Sequence, residues 1–248
     1  MIQFKNIKKS FYSNHVLRGI NLKIDRGESM VIIGGSGTGK SVLIKTVLGL
    51  ILPDSGQIFI DGVDVTKTKN EAFFEKFGML FQGGALFDSL TVWQNVAFRL
   101  LRGSKKLSQT ESKKIAIQKL RRVGLSPDIA NRYPAELSGG MQKRVSLARA
   151  IATNPEIIFF DEPTTGLDPI MSRVINELIR EVVVELGVTA ITITHDMASV
   201  TAIADKVAML HKGKIQWCGA KKDLQMSNNA YVSQFINGAV NGPIETLQ

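Results

Sequence analysis

The sequence predicts an α/β fold built on a parallel β-sheet. Runs of consecutive apolar residues alternate with helical patterns, and a glycine-rich turn joins the first run to a helix; the runs lie at 29–33, 156–161, 188–195 and 207–217. Continuous apolar strands separated by helices are typical of a parallel sheet that is covered on both faces. Because ligands of such sheets bind at the carboxyl ends of the strands, the residues there are the first candidates for function.

The first 27 residues predict antiparallel strands. Apolar and polar residues alternate in IQFKNIKKSFY and again in VLRGINLKI, and the turn Asp25-Arg26-Gly27 follows them. Such alternation places one face against a core and the other toward water. We therefore expect an N-terminal antiparallel β subdomain ahead of the parallel sheet.

A glycine-rich loop follows the first buried strand, and its pattern predicts phosphate binding. Residues 34–41 read GGSGTGKS, between the strand 29–33 and the helical run VLIKTVLGL, which is the G-x-x-x-x-G-K-[ST] pattern in its proper context. Backbone N–H groups and the start of a helix form an anion site there. Lys40 can reach phosphate oxygens and Ser41 can ligate Mg²⁺. The other loop residues are Gly34, Gly35, Ser36, Gly37, Thr38 and Gly39.

The middle of the chain predicts a helical insertion between two parts of the core. Short strands are expected in QIFIDGVDV, around Asp61-Gly62, and in FGMLFQ (77–82). From about residue 90 to residue 152, apolar residues recur at helical spacing instead. We expect the core at about 1–88 and 153–225, a helical subdomain at about 89–152, and a polar tail without a clear pattern at about 226–248.

Two adjacent carboxylates stand at the end of the strand 156–161. Nucleotide hydrolysis needs one carboxylate to hold Mg²⁺ and a second group to orient the attacking water. Asp161 follows the apolar run directly and is the natural metal partner, whereas Glu162 is the natural base. A solvated pair of acids at a strand end is the alternative reading of these two residues.

A histidine ends the strand 188–195. A neutral imidazole at His195 could hydrogen-bond a γ-phosphate oxygen or the attacking water. A structural histidine is the alternative at this position. His15 and His211 have no comparable context, so they receive no functional role.

A second glycine motif predicts another anion site. The sequence LSGGMQ opens the helical run KRVSLARAIA, with Ser138 at the N-cap position and Gly139 and Gly140 after it. One nucleotide in one chain does not need two such devices. Two copies packed head to tail would use both, because each motif could close on the nucleotide held by the other copy.

The bulk composition limits the classes of partner. Net charge is +9 and the sequence pI is about 9.7, which suits an anionic membrane face or a solvated helix face. Aromatic residues do not interleave with the basic ones as they do in single-strand binding platforms, so nucleic acid is not expected as a partner. No apolar run approaches the roughly 20 residues that span a bilayer, and the one cysteine, Cys218, suits a reducing compartment.

Together these motifs resemble an ABC-type ATPase subunit over nearly the whole chain. GGSGTGKS resembles the Walker A loop, LSGGM the signature motif, IIFFDE the Walker B strand, GLD at 166–168 the D-loop and His195 the switch histidine. The resemblance implies a single domain with a RecA-like P-loop NTPase core, ATP and Mg²⁺ as cofactors, and ATP hydrolysis. It further implies that Gln82 is the Q-loop glutamine, with catalytic and metal roles, and that Phe11, Val16 and Asp168 contact the nucleotide. Phe11 has better spacing to Lys40 than Tyr12 has, although the family more often has Tyr.

A narrower resemblance concerns the transported substrate. FQGGALFDSLTVWQNVAFRL (81–100) and EPTTGLDPIMS are similar to the ATPase of Mla-type phospholipid transporters, where many relatives have Glu at the position of Gln94. This implies a peripheral protein on the cytoplasmic face of the inner membrane, working as a dimer with a permease, an MCE-type lipid-binding protein and a small cytoplasmic accessory subunit to maintain outer-membrane lipid asymmetry. Leu86, Phe87 and Leu90 are the expected permease contacts, with packing inside the helical lobe as the alternative for Leu90.

Two other functions share the core motifs. An importer ATPase for a polar solute, such as an amino acid, differs from the lipid reading only in the stretch after Gln82. A non-transport ABC ATPase of DNA repair or translation usually carries a long coiled coil or two ATPase units. This chain has one copy of each motif and no long heptad run, which disfavours that class.

Overall fold

The computed structural model describes residues 2–67, 71–102 and 106–245. Its strands and helices follow one another in the order β1 (Ile2–Phe11), β2 (Asn14–Ile24), β3 (Ser29–Ile33), α1 (Lys40–Val47), β4 (Ser55–Ile60), β5 (Val63–Asp64), α2 (Glu71–Phe74), β6 (Phe77–Leu80), α3 (Val92–Val96), α4 (Gln109–Arg122), α5 (Gly139–Ala150), β7 (Ile157–Asp161), α6 (Pro169–Leu186), β8 (Thr189–Thr194), α7 (Met197–Ile203), β9 (Lys206–His211), β10 (Lys214–Ala220) and α8 (Ala230–Asn237). The chain divides into two compact units, residues 1–69 with 191–248, and residues 70–190.

The first unit contains the antiparallel sheet that the alternating N-terminal pattern predicts. Its strand order is β2-β1-β4-β5, and β1 pairs with β2 from Ile2, opposite Ile24, to Phe11, opposite Asn14. The inward positions Ile2, Phe4 and Ile7 are almost inaccessible to solvent. The strands around Asp61-Gly62 also form as predicted, with β4 paired to β5.

The same unit contains part of the parallel sheet. β3 pairs in parallel with β9, with Met30 opposite Lys206 and Ile33 opposite Met209. Both strands are buried along their length except at Lys206, as their unbroken apolar pattern requires. The prediction of a single strand at 207–217 is wrong. Lys212 and Gly213 both have positive φ, 43° and 73°, and the chain turns there into the hairpin β9–β10.

The second unit joins two strands to a set of helices. β6 pairs in parallel with β7, with Phe77 opposite Ile157 and Leu80 opposite Phe160. Helices α3, α4 and α5 lie in the range expected for the helical insertion. The boundaries of the helical subdomain at about 89 and 152 stay a prediction. The compact units have other boundaries, at 69/70 and 190/191. Strand β8 begins in this unit and ends in the first.

The C-terminal segment is more ordered than its polar sequence predicts. Asn229 caps α8 by accepting hydrogen bonds from the N–H groups of Tyr231 and Val232. The Gln234 amide then donates to the carbonyl oxygens of Ala239 and Ile244, at 3.1 and 3.0 Å. In the part of the chain described above, no helix is long and apolar enough to cross a membrane.

Candidate functional site

The predicted site residues fall into two groups, one in each compact unit. The first unit holds the phosphate loop, its aromatic candidate and the histidine after β8; the second holds the acids after β7, the glutamine after β6 and the LSGG motif. Each group is built from strand ends and helix starts, where parallel sheets place functional groups.

The path of the loop between β3 and α1 depends on glycine. Gly34 has φ of 153°, and a Cβ there would lie 2.2 Å from the main-chain oxygen of Leu210 in β9. Gly37 has φ of 72° with open space around its Cβ position. The first glycine therefore lets the loop pass close to β9, and the second lets its tip curl at residues 36 and 37, which are exposed. Gly35, in contrast, has room for a side chain.

Lys40 lies along its own loop. Its ammonium donates to the carbonyl oxygens of Gly34 and Gly35, at 2.6 and 2.8 Å, and the side chain is 8% exposed. The Thr38 hydroxyl also donates to Gly35, at 2.9 Å. These bonds hold a positive charge and the start of α1 at the same place, which is the arrangement that binds phosphate.

The N-terminal sheet supplies the two remaining nucleotide candidates. Phe11 ends β1 and is 41% exposed, and the Lys9 ammonium lies 5.4 Å from its ring centroid. Val16, on β2, lies beside the phosphate loop, because a Cβ at Gly39 would be 3.1 Å from its main-chain oxygen. Tyr12 is fully exposed with φ of 53°. An accessible ring at Phe11 suits stacking on a flat base.

His195 is exposed and comes directly after β8, where the strand pattern predicted a functional histidine. The next residue has a structural role. The Asp196 carboxylate accepts hydrogen bonds from the N–H groups of Ala198 and Ser199 and so caps α7. The imidazole is thereby placed between a strand end and a capped helix.

In the second unit, Asp161 is the last residue of β7. Glu162 follows it with a backbone conformation that is unusual for a residue other than glycine. Glu162 has φ of 47°, a conformation that costs a non-glycine residue about 1–2 kcal/mol. The Thr165 hydroxyl donates to its carboxylate at 3.2 Å, and the Thr165 N–H bonds its carbonyl at 3.3 Å. Strain of this kind is often found where a side chain must be held in a working orientation.

Lys143, on α5, was not predicted as a site residue. It is 6% exposed and donates to the main-chain oxygen of Gln82. Burial lowers the pKa of Lys143, while the charges of Asp161 and Glu162 act to raise it. The sequence feature that could have indicated this residue is a lysine on the buried face of a helix, because a buried lysine is rare without a polar partner. Gln82 itself is exposed, just beyond β6.

The LSGG motif forms the N-terminus of α5 as predicted. Ser138 accepts a hydrogen bond from the Met141 N–H at 3.4 Å. A Cβ on Gly140 would come within 2.5 Å of the Met171 side chain in α6. Asp168 caps α6, accepting from the N–H groups of Ile170 and Met171 at 2.9 and 3.0 Å. Its carboxylate is thus engaged in a helix cap.

The residues present fit ATP and Mg²⁺ in their chemistry. The glycine-dependent loop with its lysine suits a triphosphate. Ser41 on α1 and Asp161 at the end of β7 carry the hard oxygen atoms that Mg²⁺ prefers.

Comparison with known proteins agrees with these motifs. The model of the ABC transporter family matches residues 17–165. The chain is 38% identical over 247 residues to the intermembrane phospholipid transport system ATP-binding protein MlaF of Haemophilus influenzae, covering 98% of this chain and 93% of that protein. It is also 38% identical over 247 residues to the methionine import ATP-binding protein MetN of Carboxydothermus hydrogenoformans, covering 97% and 72%.

Solved structures show the same fold. The dimeric post-hydrolysis structure of the ATP-binding cassette MJ0796, bound to ADP and Pi, superposes with a TM-score of 0.80 at 31% identity, covering 89% of this chain and 99% of the cassette.

Proposed function

The chain belongs to the family of ABC transporter ATP-binding subunits and therefore binds and hydrolyses ATP, and from this premise we propose that the transporter it drives moves phospholipids. The observation that carries the proposal is the similarity to MlaF over 98% of this chain and 93% of MlaF. The coverage means that almost no part of the relative is missing here. The stretch 81–100 and the sequence EPTTGLDPIMS carry the same resemblance at the level of residues.

Site roles follow from residue chemistry. Lys40 and the residues 34–39 bind the phosphates, Phe11 and Val16 contact the base, and His195 hydrogen-bonds the γ-phosphate. Ser41, Gln82 and Asp161 supply oxygen atoms for Mg²⁺, which when bound would neutralise phosphate charge. Glu162 accepts the proton of the attacking water and, together with Gln82, orients it. Its carboxylate is held by Thr165, which supports this assignment.

A second copy of the chain completes the site. Ser138 and Gly139, at the start of α5, are exposed, and the D-loop residue Asp168 caps α6. We propose a head-to-tail dimer in which each LSGG motif contacts the nucleotide held by the other copy. MJ0796, which is similar to this chain, is dimeric in its solved structure with ADP and Pi.

The proposed mechanical partner is a membrane permease. It docks on a surface of this chain that comprises Leu86, Phe87 and Leu90. Phe87 is 42% exposed, although its ring stacks on Phe98 at a centroid distance of 4.4 Å. Leu86 and Leu90 are half-buried. An exposed aromatic ring backed by a second ring presents rigid apolar area to a partner helix.

The remaining partners and the location follow only from the resemblance of residues 81–100 to Mla-type ATPases. An MCE-type lipid-binding protein and a small cytoplasmic subunit would complete the assembly, with this chain peripheral on the cytoplasmic face of the inner membrane. The transporter would serve outer-membrane lipid asymmetry.

A polar-solute importer is the second candidate, favoured by the identity to MetN, which equals that to MlaF. MetN differs in coverage, because 28% of its length lies outside the match. Purification of the tagged chain from membranes, followed by identification of the bound proteins, separates the two functions. A permease with an MCE-type protein supports the lipid reading, whereas a permease with a soluble solute receptor overturns it.

A further inference from the structure

We propose that Lys143, Ser146 and Arg149 on α5 are positioning residues that tie the loop 82–85 to the helix that begins with the LSGG motif. In the proposed mechanism α5 acts only through residues 138–140 at its start. The inference rests on the proposed function in one respect: the docking surface beside this loop receives a permease.

The tie consists of hydrogen bonds from α5 side chains to loop carbonyl groups. Lys143 donates to the main-chain oxygen of Gln82. The Ser146 hydroxyl donates to Gly84 at 2.8 Å. The Arg149 guanidinium spans two carbonyl groups, donating to Gly84 and Ala85 at 2.7 Å each. Because every acceptor is main chain, the bonds fix the path of the loop whatever its side chains do.

The helix and the loop run side by side at the tie. Residues 143, 146 and 149 are three apart, so they rise about 4.5 Å per step along α5. Gly84 is buried with φ of 75°, and a Cβ there would lie 3.0 Å from the Ser146 hydroxyl oxygen. The absence of a side chain at Gly84 therefore allows the close approach that the Ser146 bond needs.

The two cations are held in a poorly solvated place. Burial lowers the pKa of both Lys143 and Arg149. Carbonyl oxygens replace part of the lost hydration, and hydrogen bonds to a charged donor are stronger in such surroundings. A tie of this type resists being pulled apart more than neutral bonds at a surface would.

The chain that follows this loop is fixed by Asn95 of α3. This residue is fully buried. Its side-chain oxygen accepts from the Phe87 N–H at 2.8 Å, and its amide group donates to the carbonyl groups of Phe87 and Leu90 at 3.1 and 3.0 Å. The segment 82–91, which carries the docking surface, is therefore held on one side by α5 and on the other by α3.

This arrangement gives a displacement of the docking surface a defined route. The segment is bonded to α5 at one end and to α3 at the other, so it moves together with these two helices instead of deforming alone. The N-terminus of α5 carries residues 138–140. A displacement of Phe87 therefore moves the LSGG motif. In the other direction, a movement of the LSGG motif when it closes on the partner copy's nucleotide displaces the docking surface.

The tie itself is tested in the isolated full-length chain, without any partner. Arg149→Lys keeps the charge and the stem but loses the fork that reaches two carbonyl groups. The matched control is Arg144→Lys, since Arg144 lies on the same helix and donates to the Gly124 carbonyl at 3.3 Å instead. We expect amide hydrogen exchange in a peptide covering residues 83–90 to rise about fivefold for Arg149→Lys and to stay unchanged for Arg144→Lys. Equal exchange in the two variants would overturn the tie.

The transmission is tested in the complex purified with its permease. For Arg149→Lys we expect the isolated chain to retain its KM for ATP and its basal turnover. In the complex, the stimulation of kcat by the permease should fall at least about fivefold. Ser146→Ala should also reduce this stimulation. Retained stimulation would contradict the proposal. If the wild-type chain recovers no permease, the proposed function fails instead, and the exchange experiment still decides the tie.

Discussion

Lys40 and Gly34 are joined by a 2.6 Å hydrogen bond from the ammonium to the main-chain oxygen. The bond spans most of the phosphate loop, since it connects the first residue of α1 with the first residue after β3. The cation is therefore positioned by the loop that it serves. Its side chain is also nearly buried, so its conformational freedom is already restricted before any phosphate arrives.

Lys40→Ala should reduce ATP affinity by about 10- to 100-fold, because it removes a charged hydrogen-bond donor from the phosphates. Equilibrium titration with a fluorescent ATP analogue measures the effect. Lys45→Ala is the matched control, since Lys45 is an exposed lysine on the same helix. Wild-type affinity in Lys40→Ala would remove the loop from the nucleotide site.

Glu162→Gln should lower ATP turnover by about 10²- to 10⁴-fold while ATP binding is retained. The amide keeps the shape of the side chain but cannot accept the proton of water. A dimer should then accumulate in ATP, detectable by light scattering after size-exclusion chromatography.

The control for this substitution is Glu177→Gln on α6, an exposed carboxylate that pairs with Arg173 at 2.9 Å. Its turnover should equal that of the wild type. Unchanged turnover in Glu162→Gln would eliminate Glu162 as the base, whatever its strained backbone suggests.

Gly34→Ala should destabilise the fold more than Gly37→Ala does. Both glycines have positive φ, which costs alanine about 1–3 kcal/mol, but only the Cβ at position 34 meets a backbone oxygen, that of Leu210, at 2.2 Å. We expect a free energy of unfolding lower by about 3 kcal/mol or more for Gly34→Ala. Urea denaturation measures both variants, and equal losses would show that β9 yields at this point.

His211 should make stability depend on pH. Burial and the neighbouring Lys212 lower the pKa of His211, and Glu245 opposes them more weakly. The unfolded chain then binds a proton more readily than the folded one, so this contribution is present above the unfolded pKa of about 6.5 and is lost as pH falls below it.

Urea denaturation at pH 7.5 and at pH 5.5 tests this sign. The wild type should lose stability at the lower pH, and His211→Gln should lose less. His15→Gln, at an exposed position on β2, should behave as the wild type does. A wild-type chain that gains stability on acidification would contradict the prediction.

The sequence predicted the parts of the site that depend on local pattern. The phosphate loop, the acids after β7 and the Ser138 cap of α5 each combine a spacing with a strand or helix of known period. Local chemistry decides such features, so a single sequence suffices. The ends of β9 were missed because the turn at Lys212 and Gly213 interrupts an apolar run only briefly.

Contacts between distant parts of the chain could not be predicted in this way. Lys143 and Gln82 are 61 residues apart, and Arg149 and Ala85 are 64 apart. Nothing in the KRVSLARA pattern indicates that its basic residues face main-chain carbonyl groups, because the periodicity identifies a buried face without naming its partner. For the same reason, the Gln234 hydrogen bonds in the C-terminal segment could not be predicted.

Reconstitution tests the central claim most directly. The chain, assembled with its co-purified permease in vesicles of phosphatidylethanolamine and phosphatidylglycerol, should move labelled phospholipid when ATP is supplied. The Glu162→Gln assembly should bind ATP and move none. ATP turnover that responds only to a polar solute and its receptor, with no lipid movement, would contradict the account.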